Sequence, residues 1–122
     1  MTDNTLMILR EARGYIAQAG WTRFVEAEDA GGRAVWYSSP RAVRFSAMGA
    51  LRRAEAHLRA INKLPSWGDV FMDASLRRAS RALAHVADAH NDFWIKNQAE
   101  AIDWFDRAIL MQVLLEEKET QQ

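Results

Sequence analysis

Cysteine is absent from the 122-residue sequence, and proline occurs only twice. Without cysteine the chain can form no disulfide, no thiolate nucleophile and no zinc–sulfur site. No apolar run approaches the roughly 20 residues that a membrane-spanning helix needs. The first residues also lack the basic segment and apolar core of a secretory signal. A cytoplasmic protein that makes no use of a membrane is therefore expected.

Net charge is also lacking, because Lys+Arg and Asp+Glu each number 16, but the charges are unevenly distributed. Residues 41–81 contain nine basic and three acidic side chains, whereas residues 82–122 contain three basic and eight acidic ones. A chain with this dipolar pattern can steer a charged partner although its total charge is zero.

Apolar residues recur every three or four positions in four stretches, which predicts a mainly α-helical fold with about four helices packed as a small bundle. The first helix is expected over residues 4–19, with Gly20 placed to end it. Ser39 and Pro40 suit the cap and the first position of the second helix, which Pro65 would stop.

The third helix is expected over residues 66–90 and the fourth over residues 97–118. Asn97 and Glu100 have the spacing of a capping pair at the start of the fourth helix. The chain length suits one core, so residues 1–122 are expected to form a single helical domain.

A turn signal, Asp29-Ala30-Gly31-Gly32, lies between β-branched and aromatic residues in the segment that joins helices 1 and 2. This pattern predicts a short β-hairpin or an ordered loop within residues 21–39. Gly49 in helix 2 costs roughly 1 kcal/mol relative to alanine, so a close approach by another backbone or ring is expected there. Trp21 is the candidate neighbour.

Helix 2 carries a possible binding surface. Helical geometry places four basic side chains in line along its outer side, with a phenylalanine beside them. Arginine next to an exposed aromatic ring suits phosphate, nucleic acid or an acidic protein surface, and a merely solvated face is the alternative. With three arginines of helix 3, the candidate partner-binding residues are Arg41, Phe45, Arg52, Arg59, Lys63, Arg77, Arg78 and Arg81.

The stretch His90-Asn91-Asp92, followed by Trp94, allows two interpretations. Asn91 and Asp92 can end helix 3 and form a turn. Alternatively, these four residues line a pocket, in which acid–base work would need a second group in reach, such as His57 or His90. A metal site that uses both His85 and His90 is not expected, since they lie roughly 140° apart on one helix. The sequence therefore assigns no metal, cofactor or catalytic residue.

Helix 4 has apolar residues on two sides. The arc expected to face the domain comprises Ile102, Trp104, Phe105, Ala108, Ile109 and Leu115. Leu110 and Leu114 fall outside this arc and adjoin each other. We expect this second strip to be the interface of a two-fold homodimer, unless an N-terminal segment folds back over it.

Four short motifs occur in order over most of the chain: Gly20-Trp21, Gly49-Ala50-Leu51, Asn91-Asp92 and Asp106-Arg107-Ala108-Ile109. On these motifs the chain resembles a bacterial and phage family, the domain of unknown function DUF6197. The resemblance implies no activity, cofactor or substrate, and it suggests a phage or mobile-element context.

These patterns together predict a non-enzymatic binding protein whose partner is an anionic macromolecule, most simply a protein. A phage or mobile-element accessory or inhibitor protein would fit this description. One alternative is a small-molecule-binding or hydrolytic protein with its pocket at His90-Asn91-Asp92. The other is direct DNA binding by helices 2 and 3, although their connector is longer than the roughly three- to four-residue turn of a helix-turn-helix.

Overall fold

A computed structural model describes residues 4–61, 69–86 and 97–120. In these residues helices pack around one core, with a small sheet beside them. The helices are α1 (Thr5–Gln18), α2 (Ala47–Ala60), α3 (Asp69–Val86) and α4 (Gln98–Thr120). The strands are β1 (Ala27–Glu28), β2 (Ala34–Val35) and β3 (Arg44–Phe45). The predicted mainly α-helical bundle is confirmed, and none of the described helices has the length and apolar character to cross a membrane.

Helix α1 contacts each of the other three helices and supplies the middle of the core. The apolar spacing of this helix predicts that Ile8, Leu9, Ala12, Ile16 and Ala19 face the core. The first four are fully buried, whereas Ala19, which follows the last helical residue, is exposed. The side-chain amide of Gln98 donates hydrogen bonds to the carbonyls of Ile16 and Ala17, at 2.7 and 2.9 Å. Since the last carbonyls of a helix have no partner within it, this contact both caps α1 and attaches α4.

Helix α2 begins later than its sequence pattern predicted. Ser46 is the N-cap, and its hydroxyl accepts a hydrogen bond from the Gly49 N–H at 3.1 Å. Ser39, the predicted cap, belongs to an earlier turn, in which its hydroxyl accepts from the Arg41 N–H. The prediction of a start at Ser39 was wrong because β3 pairs with β1, which holds the two residues directly before Ser46 in a strand.

The three strands form an antiparallel sheet in the order β2-β1-β3. The Asp29 carboxylate closes the turn between β1 and β2 by accepting hydrogen bonds from the N–H groups of Gly31 and Arg33, both at 2.9 Å. Gly32 has a φ of 83°, which glycine adopts without strain. The predicted hairpin is therefore confirmed at the predicted turn, whereas β3 was not predicted.

The sheet rests on α2 at Gly49. A Cβ atom on Gly49 would lie 1.8 Å from the carbonyl oxygen of Glu26, so no side chain fits there without moving the backbone. The same carbonyl accepts a hydrogen bond from the Ser46 N–H at 3.1 Å. The predicted close approach at Gly49 is confirmed, and the neighbouring backbone is that of Glu26 rather than the ring of Trp21.

Helix α4 begins as predicted, with the Asn97 side chain accepting from the Glu100 N–H at 2.9 Å. Ala101, Phe105 and Ala108 of α4 are fully buried. In contrast, Leu115 is 48% exposed, so its predicted position in the core was wrong. No residue of the described part of α4 after Ala108 is fully buried, which places its last turns at the edge of the bundle.

Candidate functional site

The residues of the predicted basic stripe do not all lie on one helix in the structure. Arg41 lies in the loop before β3 rather than on α2, and Lys63 lies outside the described residues. Phe45 is only 2% exposed, and its ring centroid lies 5.7 Å from that of Tyr15. The prediction that Phe45 lies on the outer side of helix 2 was wrong, because strand pairing with β1 turns this ring into the core.

The two arginines of the stripe that do lie on α2 form ion pairs. An Arg52 guanidinium nitrogen lies 2.7 Å from a carboxylate oxygen of Glu26, and Arg59 is 3.0 Å from Glu55. Each positive charge on this face is therefore offset by a neighbouring carboxylate. The face is a weaker site for an anionic partner than the sequence indicated.

Arg53, which the sequence analysis did not single out, has a structural role. Its guanidinium lies over the rings of Tyr15 and Phe45, at 5.5 and 5.2 Å from their centroids. It also donates hydrogen bonds to the carbonyls of Tyr37 and Ser39, at 2.9 and 3.1 Å. This side chain therefore fixes the loop between β2 and β3 onto α1 and the sheet.

The predicted pocket residues His90, Asn91, Asp92 and Trp94 lie outside the described residues. His85 is described, and it is exposed on α3. Within residues 4–61, 69–86 and 97–120, no group of three metal-ligating side chains comes together.

A cleft of about 260 Å³ opens where the loop after α1 meets three helices. The sequence did not indicate it. Its walls come from four separate segments, and its main apolar contributors are Trp21, Phe24, Met48, Leu51, Leu83 and Trp104. The indole N–H of Trp104 donates to the carbonyl of Leu83 at 2.8 Å, which fixes the α3–α4 wall.

The wall at Trp21 is held by backbone hydrogen bonds to β3. The Phe45 N–H donates to the carbonyl of Gly20, and the Thr22 N–H donates to the carbonyl of Phe45, both at 3.1 Å. These two hydrogen bonds form an isolated β-bridge between Trp21 and Phe45, which fixes the direction of the loop. The Trp21 indole nitrogen is buried, and no acceptor among the described residues lies within hydrogen-bond distance.

Phe24, at the mouth of the cleft, has an unusual backbone and an unusual exposure. Its φ is 77°, and it is the only residue other than glycine with a positive φ in the described ranges. For a bulky residue such a conformation costs on the order of 1–3 kcal/mol. The ring is nevertheless 81% exposed, and the guanidinium of Arg23 lies 5.3 Å from its centroid. No burial in the free protein offsets this strain.

Arginines border the cleft on two sides. Arg23 lines it directly. On α3, the exposed Arg77 and Arg81 lie next to the lining residues Ser80 and Ala84, because residues three or four apart adjoin on a helix. Two of the three α3 arginines that the sequence predicted to bind a partner thus lie beside the cleft.

The third of these arginines, Arg78, is also exposed, but it lies about 100° around the helix from Arg77. It therefore faces away from the cleft rather than contributing to its edge.

The described lining of the cleft is mostly apolar. It contains no carboxylate and no imidazole, so it offers no general base to activate a nucleophile. The Ser46 hydroxyl is already engaged as the cap of α2. The volume lies below the roughly 300–1,000 Å³ of small-molecule sites, and it suits one or two inserted side chains.

The predicted interface residues of helix 4 are on the surface. Leu110 is 60% exposed and Leu114 is 56% exposed, and neither lines the cleft. The structure thus places these two leucines together on a face of α4 that is separate from the cleft.

The described residues thus form a mainly α-helical fold with a small sheet and a cleft that is lined in part by aromatic side chains. The chain belongs to DUF6197, a family of unknown function whose model matches residues 1–110. This match confirms the resemblance found from the motifs. Comparisons with curated proteins and with solved structures gave no match.

Proposed function

We propose that the chain is a non-enzymatic binding protein that captures an acidic protein segment, with an apolar side chain of that segment in the cleft. Phe24 is the observation that carries this proposal. Its backbone is strained and its ring is 81% exposed, so this residue costs stability in the free protein. A partner that covers the ring would offset that cost.

The apolar cleft supports a protein partner. Binding energy at protein interfaces concentrates in a few large side chains that fill desolvated pockets. A cleft of about 260 Å³ with aromatic walls suits one such anchor, and Met48 at the start of α2 adds an adaptable surface.

The arginines beside the cleft support an acidic partner. Arg23, Arg77 and Arg81 can donate paired hydrogen bonds to carboxylates that flank the anchor. Arg77 and Arg81 lie within residues 41–81, where nine basic side chains occur with three acidic ones. Long-range attraction would then speed encounter with an acidic segment.

The alternative functions have less support. The pocket at His90-Asn91-Asp92 stays a prediction, since those residues lie outside the described ranges. Direct DNA binding by helices 2 and 3 also stays a prediction, and its α2 part is weakened because Arg52 and Arg59 pair with carboxylates. The cytoplasmic location and the phage or mobile-element role also stay predictions from the sequence.

Selection from short random peptides displayed on yeast tests this proposal. We expect enrichment of peptides with one large apolar residue flanked by Asp and Glu. Ala84→Trp, which fills the cleft from an exposed position, should weaken binding of the enriched peptides roughly tenfold or more, equivalent to about 1.4 kcal/mol. Ala99→Trp is the matched control on the exposed start of α4 and should leave binding unchanged.

The role of charge is tested separately. Arg77→Glu combined with Arg81→Glu should also weaken binding. Arg10→Glu combined with Arg33→Glu is the matched control, because these two arginines are exposed but do not line the cleft. Enriched peptides without acidic residues, or equal binding by the variant with the filled cleft, would refute the proposal.

A further inference from the structure

Helix α4 carries a second exposed face with a regular pattern. Five residues recur at alternating spacings of four and three along it, which is the spacing of a helix–helix seam. All five are exposed, and the two leucines form the middle of the row. We call this row the α4 seam, and it comprises Asp103, Arg107, Leu110, Leu114 and Glu117.

The charges of the α4 seam are arranged symmetrically with opposite signs. Arg107 precedes Leu110 by three residues, and Glu117 follows Leu114 by three residues. If two such helices pack antiparallel about a two-fold axis at the level of Gln112, each Leu110 meets the other copy's Leu114. Each Arg107 then meets the other copy's Glu117.

Parallel packing in register would have the opposite electrostatic result. It would place Arg107 against Arg107 and Glu117 against Glu117, and like charges in such positions repel. Of these two arrangements, only the antiparallel one brings opposite charges of the seam together. Arg107 also forms an exposed ion pair with Asp103 of its own helix, at 2.8 Å, and contact with the other copy's Glu117 would have to share or replace this pair.

We propose that a second copy of this chain binds the α4 seam, giving an antiparallel two-fold dimer in which Leu110 and Leu114 are the apolar centre. The apolar centre consists of only two leucines from each copy, so we expect a weak dimer that forms at high protein concentration. The seam shares no residue with the cleft, so this proposal can fail without affecting the proposed function.

Sedimentation equilibrium over a wide range of concentrations tests the dimer and its charge pairs. The wild type should show a reversible monomer–dimer equilibrium, and Leu110→Glu with Leu114→Glu should be monomeric. Leu115→Glu is the matched control, because Leu115 is exposed on the same helix but lies outside the seam. A monomeric wild type, or equal loss of the dimer in the Leu115→Glu control, would overturn the proposal.

Charge exchange tests the antiparallel direction. Arg107→Glu alone and Glu117→Arg alone should each weaken dimerisation, because each creates two like-charge contacts. The double variant with both changes restores the opposite-charge contacts and should dimerise like the wild type. A double variant that is weaker than both single variants would contradict the antiparallel pairing.

The absence of cysteine allows a direct geometric test in the full chain. Leu110→Cys and Leu114→Cys are prepared separately, mixed and oxidised, and the products are identified by intact mass. The antiparallel dimer predicts that the mixed disulfide exceeds both homodisulfides. Dominant homodisulfides would indicate parallel packing, and cross-linking no greater than that of an Ala99→Cys control would exclude the dimer.

Discussion

At the scale of single residues, two glycines in helices differ completely in their surroundings. Gly49→Ala should lower the free energy of unfolding by about 3 kcal/mol, because its Cβ would overlap the Glu26 carbonyl and force the sheet away from α2. Gly14→Ala is the matched control in α1, where a Cβ would meet no atom within 4 Å. It should raise stability by about 0.5–1 kcal/mol, as alanine does in an open helix position.

Urea denaturation of the two glycine variants measures both effects. A Gly49→Ala variant as stable as the wild type would show that the sheet does not approach α2 as described.

The phenol of Tyr15 should resist ionisation. Its partial burial, together with the neighbouring Glu11 carboxylate, raises the pKa of Tyr15 to about 12. Since this pKa lies above the unfolded value of about 10, its contribution to stability is fully present below that pH. The contribution is lost as the pH rises towards 12.

In a Tyr37→Phe variant, which leaves Tyr15 as the only tyrosine, the absorbance of tyrosinate should report this titration directly. The midpoint should return to about 10 in denaturant. An equal midpoint in the folded and unfolded states would contradict the described burial.

At the scale of elements, the hairpin depends on two carboxylates. A hydrogen bond from Arg44 is the main cause that lowers the pKa of Glu28, and the backbone N–H of Arg33 is the main cause that lowers that of Asp29. Because both folded pKa values lie below the unfolded ones, the stabilisation is present above the ordinary carboxyl pKa of about 4. It is lost as the pH falls through the folded values.

We therefore expect the β1–β2 turn to open in acid before the helices do. Amide hydrogen exchange and chemical shifts of Gly31 and Arg33 measure this opening. Asp29→Asn keeps an acceptor oxygen but removes the titrating group, so these two amides should lose most of their acid response. An unchanged acid response in the Asn variant would assign the opening to other groups.

The helices also show how far local sequence signals determine an element. The start of α4 was predictable because Asn97 and Glu100 carry the complete capping pattern within four residues. The start of α2 was not, because Ser39 and Ser46 are equally good caps locally. Pairing of β3 with β1, a contact between distant segments, decides between these two serines.

At the scale of the whole molecule, the candidate site was less predictable than the fold. The spacing of apolar residues predicts most of the buried side chains of α1 and of the first half of α4, since this depends on one helix at a time. It fails at Leu115, where α4 reaches the edge of the bundle. The cleft depends on four segments that meet only in the folded chain. Moreover, Phe24 is neither glycine nor asparagine, so nothing in its sequence indicates a positive φ.

The backbone conformation of Phe24 lowers stability, whereas its ring contributes to the proposed binding. Glycine adopts a φ of 77° without steric cost, so Phe24→Gly should raise the free energy of unfolding by about 1 kcal/mol, even though glycine loses more chain entropy on folding. The same change removes the ring from the mouth of the cleft and should weaken binding of the enriched acidic peptides. A screen for thermal stability alone would therefore favour variants that have lost the activity proposed for the wild type.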